Sequence, residues 1–325
     1  MKVQRTLGSV VALIAVACAC TFTQGCKQKS PAPSAAQTTQ NSVAPFLGRW
    51  DLTLKTPQRE RPSWLEISQD NGALKGTMVG ESGSASPLAQ VDITNGTLTF
   101  TSQKPFTAKL EEGKLVGTTT GPDGAQWTWT GVKAPSLATD TAPQWGKPIS
   151  LFNARNLDGW HEYTADGSAP TKHWRVEHGI LVSPGQGPEL VSDKTFQNFK
   201  LHVEFKLGPD SNSGIYLRGR YEVQLETDSA NESSLHHTGA IYGFLAPNPE
   251  LPRIANKWES YDITLVGRNV TVVQNGKTII DNQEIPGITG GALNSNEAEP
   301  GPIYLQGSEK GQVSFRKIVI TPAVQ

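Results

Sequence analysis

The chain has 325 residues and a formal net charge of −1, from 29 basic and 30 acidic side chains. That length accommodates two separately packed cores, and the near-neutral balance without basic clusters excludes the electrostatic footprint of nucleic-acid binding. All three cysteines, Cys18, Cys20 and Cys26, lie close to the N-terminus, so the body of the chain folds on packing alone, without a disulfide.

Lys2 and Arg5 precede an apolar run over residues 7–22. The run is too short and too early for a stable membrane span and reads as an export signal. Cys26 follows Gly25 and precedes the polar Lys27-Gln28-Lys29-Ser30, the placement of the acylated first residue of a bacterial lipoprotein. Thr23 and Gln24 depart from the usual leucine-led recognition sequence; Cys18, after Ala15-Val16-Ala17, is the second candidate, and a plain cleaved signal is the bland alternative. The expectation is a signal over 1–26, a lipid on Cys26, attachment to the membrane, and a periplasmic or cell-surface location. Residues 27–44, rich in Ser, Ala, Pro, Gln and Thr, read as a flexible linker.

Residues 45–133 carry the pattern of a small all-β unit. Trp50, Leu52 and Leu54 alternate, as do Leu65 and Ile67, and strand-length segments follow at 76–79, 91–93, 98–100, 115–118 and 127–130. Asp70-Asn71-Gly72, Thr94-Asn95-Gly96, Glu111-Glu112-Gly113 and Gly121-Pro122-Asp123-Gly124 are turn signals between them. About seven or eight short antiparallel strands predict a small barrel or sandwich. Its titratable residues are scattered, and Arg59, Glu60 and Arg61 read as a charged loop suited to solvent or docking. The unit is therefore expected to be accessory, dispensable for chemistry. Residues 134–143 read as a second linker.

Residues 144–323 are rich in β-branched residues and glycine and show no helical period, so the larger domain is also all-β. Successive strand side chains point to opposite faces. Val203, Phe205, Ile215, Leu217, Val223 and Leu225 are thereby assigned to a core, and His202, Glu204, Lys206, Tyr216, Arg218, Glu222, Gln224 and Glu226 to the opposite face. Such a polar stripe fits a sugar-binding surface and fits equally a solvated face of cross-strand ion pairs. His236 and His237 are adjacent in an extended loop, so at most one of them readily enters a site. Trp160 and Trp258 are assigned to the core, whereas Tyr216, Tyr242 and Tyr304 are out of phase with their apolar neighbours and suit a ligand. A divalent cation is a further candidate, with Asp210, Asn212, Glu297 and Glu299 as oxygen donors, though in no recognised ligand spacing.

The order Asn212-Ser213-Gly214-Ile215, Arg218-Gly219, Tyr221-Glu222-Val223-Gln224, Gly239-Ala240-Ile241-Tyr242-Gly243 resembles the 3-keto-disaccharide hydrolase family. Leu151-Phe152-Asn153 with Leu157-Asp158-Gly159-Trp160 is similar to its opening, and Asn275-Gly276-Lys277, Gly301-Pro302-Ile303-Tyr304-Leu305-Gln306 and Phe315-Arg316-Lys317-Ile318 to its closing strands. The resemblance spans residues 149–322. It implies a concanavalin A-like sandwich of two antiparallel sheets, with carbohydrate on the concave one. It also implies a 3-keto-sugar substrate, made by a separate sugar 3-dehydrogenase, that loses its C2 proton, eliminates the C1 substituent and then adds water. On the family's positions Glu222 or Glu204 is the base, Arg218 the electrophile at the C3 oxygen, and Gln224 and Gln306 hold hydroxyls. Tyr216, Glu226, Tyr242, His236, His237 and Tyr304 surround the substrate. Two departures stand out. Glu226 replaces an Asp, and Gly307-Ser308-Glu309-Lys310-Gly311 holds no His where many relatives carry one. Glu309, Lys310 or a loop histidine would have to serve instead, or the domain is a non-catalytic, lectin-like carbohydrate-binding module on a lipid anchor.

Overall fold

The computed structural model describes residues 42–324, apart from 81–82, 123, 140, 165, 170–172, 228–231 and 309. The expected signal, Cys26 and nearly all of the first linker lie outside the described residues, as does Glu309. Among the described residues the regular structure is antiparallel β, with two short 3-10 turns at Ala44–Phe46 and Ser234–His236.

The small unit is one curled sheet of nine strands. Its first strand, Gly48–Lys55, pairs on one side with Glu60–Asp70 and on the other with the last, Gln126–Lys133. The curl brings non-neighbouring strands together: a Cβ at Gly76 would lie 2.6 Å from Leu88 and 2.9 Å from Val91. Alternation buries Trp50, Leu52, Leu54, Leu65, Ile67 and Trp129 inside, with Phe100 and Phe106 stacked at 4.8 Å. Two strands exceed the sequence expectation, Ala85–Pro87 and Lys104–Glu111. In the second, Pro105 and two lysines mask an inward row of Phe106, Ala108 and Leu110.

The larger unit is a two-sheet sandwich of the concanavalin A-like kind. One sheet centres on Phe199–Leu207, flanked by Val313–Val324 and Trp258–Val266. The other has five strands, in spatial order Trp160–Tyr163, Glu189–Phe196, Gly301–Leu305, Asn212–Leu217 and Tyr221–Glu226. Leu201, Val203, Phe205, Ile263 and Phe315 of the first meet Leu190, Ile215, Leu217, Val223, Leu225 and Leu305 of the second in one buried cluster.

The small unit packs directly into this sandwich. Trp64 and Val79 belong to the sandwich's own core cluster. Trp64 packs edge-on against Phe244 at 5.3 Å, and a Cβ on Gly287 would come within 2.1 Å of its indole nitrogen. Thr53 and Ser295 share a hydroxyl hydrogen bond of 2.6 Å, and Arg49 pairs with Glu284 at 2.6 Å. A fully buried Val alone contributes about 1.5–3 kcal/mol and the larger Trp64 more, so the junction is part of the folding energy.

Candidate functional site

The outward face of the five-stranded sheet carries the site. Strand register sets Tyr216 opposite Glu222 on one side and opposite Tyr304 on the other. The two phenol rings stack at 4.2 Å and 13°. Gly214 lies opposite Gln224, and its missing side chain leaves the space that Glu222 occupies: a Cβ there would sit 2.2 Å from Glu222 Oε1. A small apolar patch of Val191, Tyr216 and Tyr304, with Tyr163 and Leu293 against it, gives this otherwise polar face a dry floor.

Above that floor is a cavity of about 290 Å3. Glu189, Glu222, Gln224 and Gln306 line it from the sheet with the two stacked tyrosines, and Tyr242 and the 290–292 loop close its side. Arg59 and Arg61 of the small unit supply the remaining wall. Tyr216 Oη donates to Gly290 O at 2.9 Å, pinning the loop to the floor. Two larger depressions, of about 800 and 790 Å3, lie against the small unit's curled sheet and beside residues 141–144, and no carboxylate among the described residues lines either.

Burial, reinforced by the nearby Glu222 carboxylate, pushes the Tyr216 phenol well above its ordinary range. Burial and the Glu189 and Glu222 charges do the same to Tyr304, which is hydrogen-bonded to Glu189. Tyr242 is raised by burial and by Glu222. All three phenols therefore remain protonated donors at neutral pH. Glu189 also accepts a hydrogen bond from the Gly307 backbone. The face thus offers carboxylates able to take a proton and phenols able to give one.

Several sequence assignments do not converge here. Glu204 sits on the outer face of the opposite sheet, where Arg316 donates to it, Lys317 lies 3.7 Å away and His202 3.5 Å away. The Arg316 hydrogen bond, against a small opposing effect of burial, holds Glu204 below the usual carboxylate range. Alternation gave its parity correctly but could not tell which sheet its strand joins. Arg218 follows the end of its strand with a φ of +54°, which breaks the alternation and turns the side chain under the hairpin. There it is fully buried and donates to Tyr221 Oη at 2.8 Å and Gly267 O at 3.0 Å, so it is no electrophile of this cavity. Glu226 continues the row of Glu222 and Gln224 but is buried, its backbone held by Thr238, and it is not among the cavity-lining residues.

His236 stacks on Tyr242 at 4.7 Å and bonds to Ser84, standing behind the cavity wall, while His237 pairs with Glu250 at 2.9 Å. Trp160 is buried as expected, but Trp258 is half-buried on the other sheet, with Arg316 at 4.4 Å and Lys206 at 5.2 Å from its ring. The proposed cation donors are dispersed: Asn212 lines the cavity, whereas Glu297 is in a buried bridge with Arg268 at 2.7 Å. Among the described residues no group of three or more His, Cys, Asp or Glu is placed to hold a metal.

Sequence reasoning missed Glu189, Tyr163, Arg59 and Arg61. Glu189 and Tyr163 are cross-strand partners. A strand reading of Glu189–Phe196 would have placed Glu189 and Val191 on one face. The arginines carried no signal, because nothing local says which surface their hairpin covers.

Fold and site together define a concanavalin A-like sandwich with a small-molecule cavity on its five-stranded sheet. Residues 147–321 match the 3-keto-alpha-glucoside-1,2-lyase-like domain, and the chain belongs to that family, the one its short motifs resemble. Over 169 residues it is 31% identical to a 3-keto-disaccharide hydrolase of Bacteroides thetaiotaomicron, covering 41% of this chain and 57% of that protein. The chain therefore spans little more than half the length of that relative. Among solved structures, a candidate glycosyl hydrolase of Parabacteroides distasonis is similar at 24% identity and a TM-score of 0.45, covering 62% of this chain and 98% of the other. A β-1,3-1,4-glucanase (lichenase) from a mouse hindgut metagenome is similar at 12% identity and 0.33, covering 55% and 100%. At such distances neither says anything about activity.

Proposed function

We propose that the protein cleaves 3-keto-glycosides in this cavity. The observation that carries the reading is the convergence of Glu189 and Glu222 with the neutral, stacked phenols of Tyr216 and Tyr304. At about 290 Å3 the cavity lies at the lower end of the roughly 300–1,000 Å3 usual for small-molecule sites, room for a sugar ring with its substituent directed outward. A ketone at C3 acidifies the C2 hydrogen, because the electron pair left behind delocalises onto the C3 oxygen. Glu222 takes that proton. Collapse of the enolate breaks the C1–O bond, and the departing oxygen takes a proton from a phenol or from water. Water then adds across the resulting double bond, hydroxyl to C1 and proton to C2, so the net change is hydrolysis without net oxidation or reduction. Gln224 and Gln306 hold hydroxyls. This route uses one base and neutral donors, and it does not require the fixed carboxylate spacing of ordinary glycosidases.

Such a substrate must be supplied by an enzyme that oxidises the C3 hydroxyl of a glycoside. We further propose that the chain is exported and tethered through a lipid on Cys26, with residues 27–44 as a coil spanning about 20–25 Å. Replacing Cys26 by Ser releases the protein from the membrane fraction under this reading; release by Cys18→Ser alone moves the anchor to Cys18, and retention in both removes it.

The functional test is to mix purified protein with a 3-keto-disaccharide and with its unoxidised parent. Rapid cleavage of the ketone alone is expected. Equal cleavage of both sinks the ketone-dependent route, and binding without cleavage of either makes the domain the lectin-like module instead.

A further inference from the structure

The family match begins at residue 147, yet one wall of the cavity is made by residues that precede it. Arg59 closes the turn between Gly48–Lys55 and Glu60–Asp70, and its backbone is fixed there. Thr56 N donates to Arg59 O at 3.0 Å, and Arg59 N donates to Thr56 Oγ1 at 3.2 Å. The guanidinium reaches across to the sandwich and donates from Nη1 to Tyr163 Oη at 3.0 Å. That bond aims the fork along the cavity wall. Its Nε is buried and meets no acceptor among the described residues. Gln306, which lines the same cavity, has its Oε1 buried and without a donor among the described residues.

Both side chains line the cavity with hydrogen-bonding capacity unmet among the described residues, and a polyhydroxylated ligand offers partners to each. A guanidinium is also the strongest hydrogen-bond donor this cavity could aim at an oxygen that gains negative charge. The phenols, by contrast, are neutral. With Arg218 turned away beneath its hairpin, a cationic group for the enolate oxygen has to come from the small unit.

We propose that the N-terminal β unit is a working wall of the site, in which the Arg59 guanidinium donates to the C3 oxygen of the bound sugar and the Gln306 amide holds a hydroxyl. This assignment rests on the 3-keto-sugar reading above, and it makes Arg59 a determinant of preference for the ketone over the parent alcohol.

The test uses the full chain. Binding of 3-keto-glucose and of glucose is measured by calorimetry for the wild type, Arg59→Gln and Arg59→Lys, with thermal midpoints alongside and turnover of a 3-keto-disaccharide in parallel. Arg59→Gln is expected to weaken 3-keto-glucose binding about tenfold and to erase the preference over glucose, at an unchanged midpoint. Turnover falls roughly a hundredfold, the scale of losing one donor to a developing oxyanion. Arg59→Lys, which keeps charge without the fork, falls between, and it decides the matter if Arg59→Gln does not fold. A ketone preference and turnover within twofold of wild type in the variants overturn the assignment while leaving the functional reading intact. Wild-type binding that depends on Arg59 without any turnover does the reverse. Failure of the wild type to bind either sugar removes both.

Discussion

Asp51 and Glu297 meet where the small unit joins the sandwich. Asp51 is 2% exposed and, among the described residues, neither of its carboxyl oxygens meets a donor. Glu297 is already held by Arg268, at 3.1 Å from Nε and 2.7 Å from Nη2, and by Tyr221 Oη at 2.6 Å. A second carboxyl against this ionised one can bond to it only by keeping its own proton. Burial, followed by the Glu297 charge, pushes Asp51 from 3.8 up to about 9. Burial opposes the ionisation of Glu297 as well, but the Arg268 hydrogen bond and charge hold it below its usual range. The folded protein therefore carries a proton on Asp51 that the unfolded chain has released. Stability from that proton is complete below pH 3.8 and is lost as pH rises through about 9. The maximum slope is about 1.4 kcal/mol per pH unit. Asp51→Asn substitutes an amide that donates to Glu297 at every pH and does not titrate. The stability difference between variant and wild type is thus expected to grow in the variant's favour by about 3 kcal/mol between pH 6 and pH 8. Urea unfolding of both proteins at pH 6, 7 and 8 measures it, and all other titrations cancel in the difference. Parallel pH dependences would show that Asp51 is already ionised in the folded state and refute the shared-proton argument.

Three further substitutions separate site from scaffold. Glu204→Gln leaves turnover within twofold and costs under about 1 kcal/mol, because its ion pairs are on the outer surface; a large kinetic loss returns it to the site. Gly214→Ala drives a methyl into Glu222 Oε1, so turnover drops at least about tenfold while circular dichroism stays that of the wild type; undiminished turnover argues against Glu222 as base. Arg218→Leu strands Gly267 O, removes the donor to Tyr221 Oη and lowers stability by about 3 kcal/mol in a urea titration, with the ketone preference of the remaining folded protein unchanged.

What the sequence disclosed follows from how far each signal reaches. Alternation is local, so the inward rows of both units and the parity of Tyr216, Glu222 and Gln224 were readable. The same alternation could not assign Glu204 to a sheet, because partner strands are chosen by contacts over 100 residues away, as with Val313–Val324. Arg218 failed for a different reason. The strand pattern was carried one residue past its end, into a turn whose left-handed conformation reverses the side chain's direction. Lys104–Glu111, paired on both sides, was lost to a Pro at its very start, one of the few strand positions that tolerate it. Arg59 was beyond reach altogether: its value depends on a junction made by Trp64, Val79 and Gly287, none of which looks like an interface residue in isolation.

A cavity shared between two chain segments also constrains how the protein can change over generations. The carboxylates and phenols sit on the sandwich, but a wall of the cavity arrives on a separate β unit that lies outside the family match. Recombination that exchanges this N-terminal piece would resculpt the cavity while leaving Glu189 and Glu222 untouched. Any side chain at Gly287 would press on Trp64 and so on the junction that holds this wall in place. The shape of the cavity is therefore open to change by shuffling or loosening the junction, without remaking the five-stranded sheet beneath it.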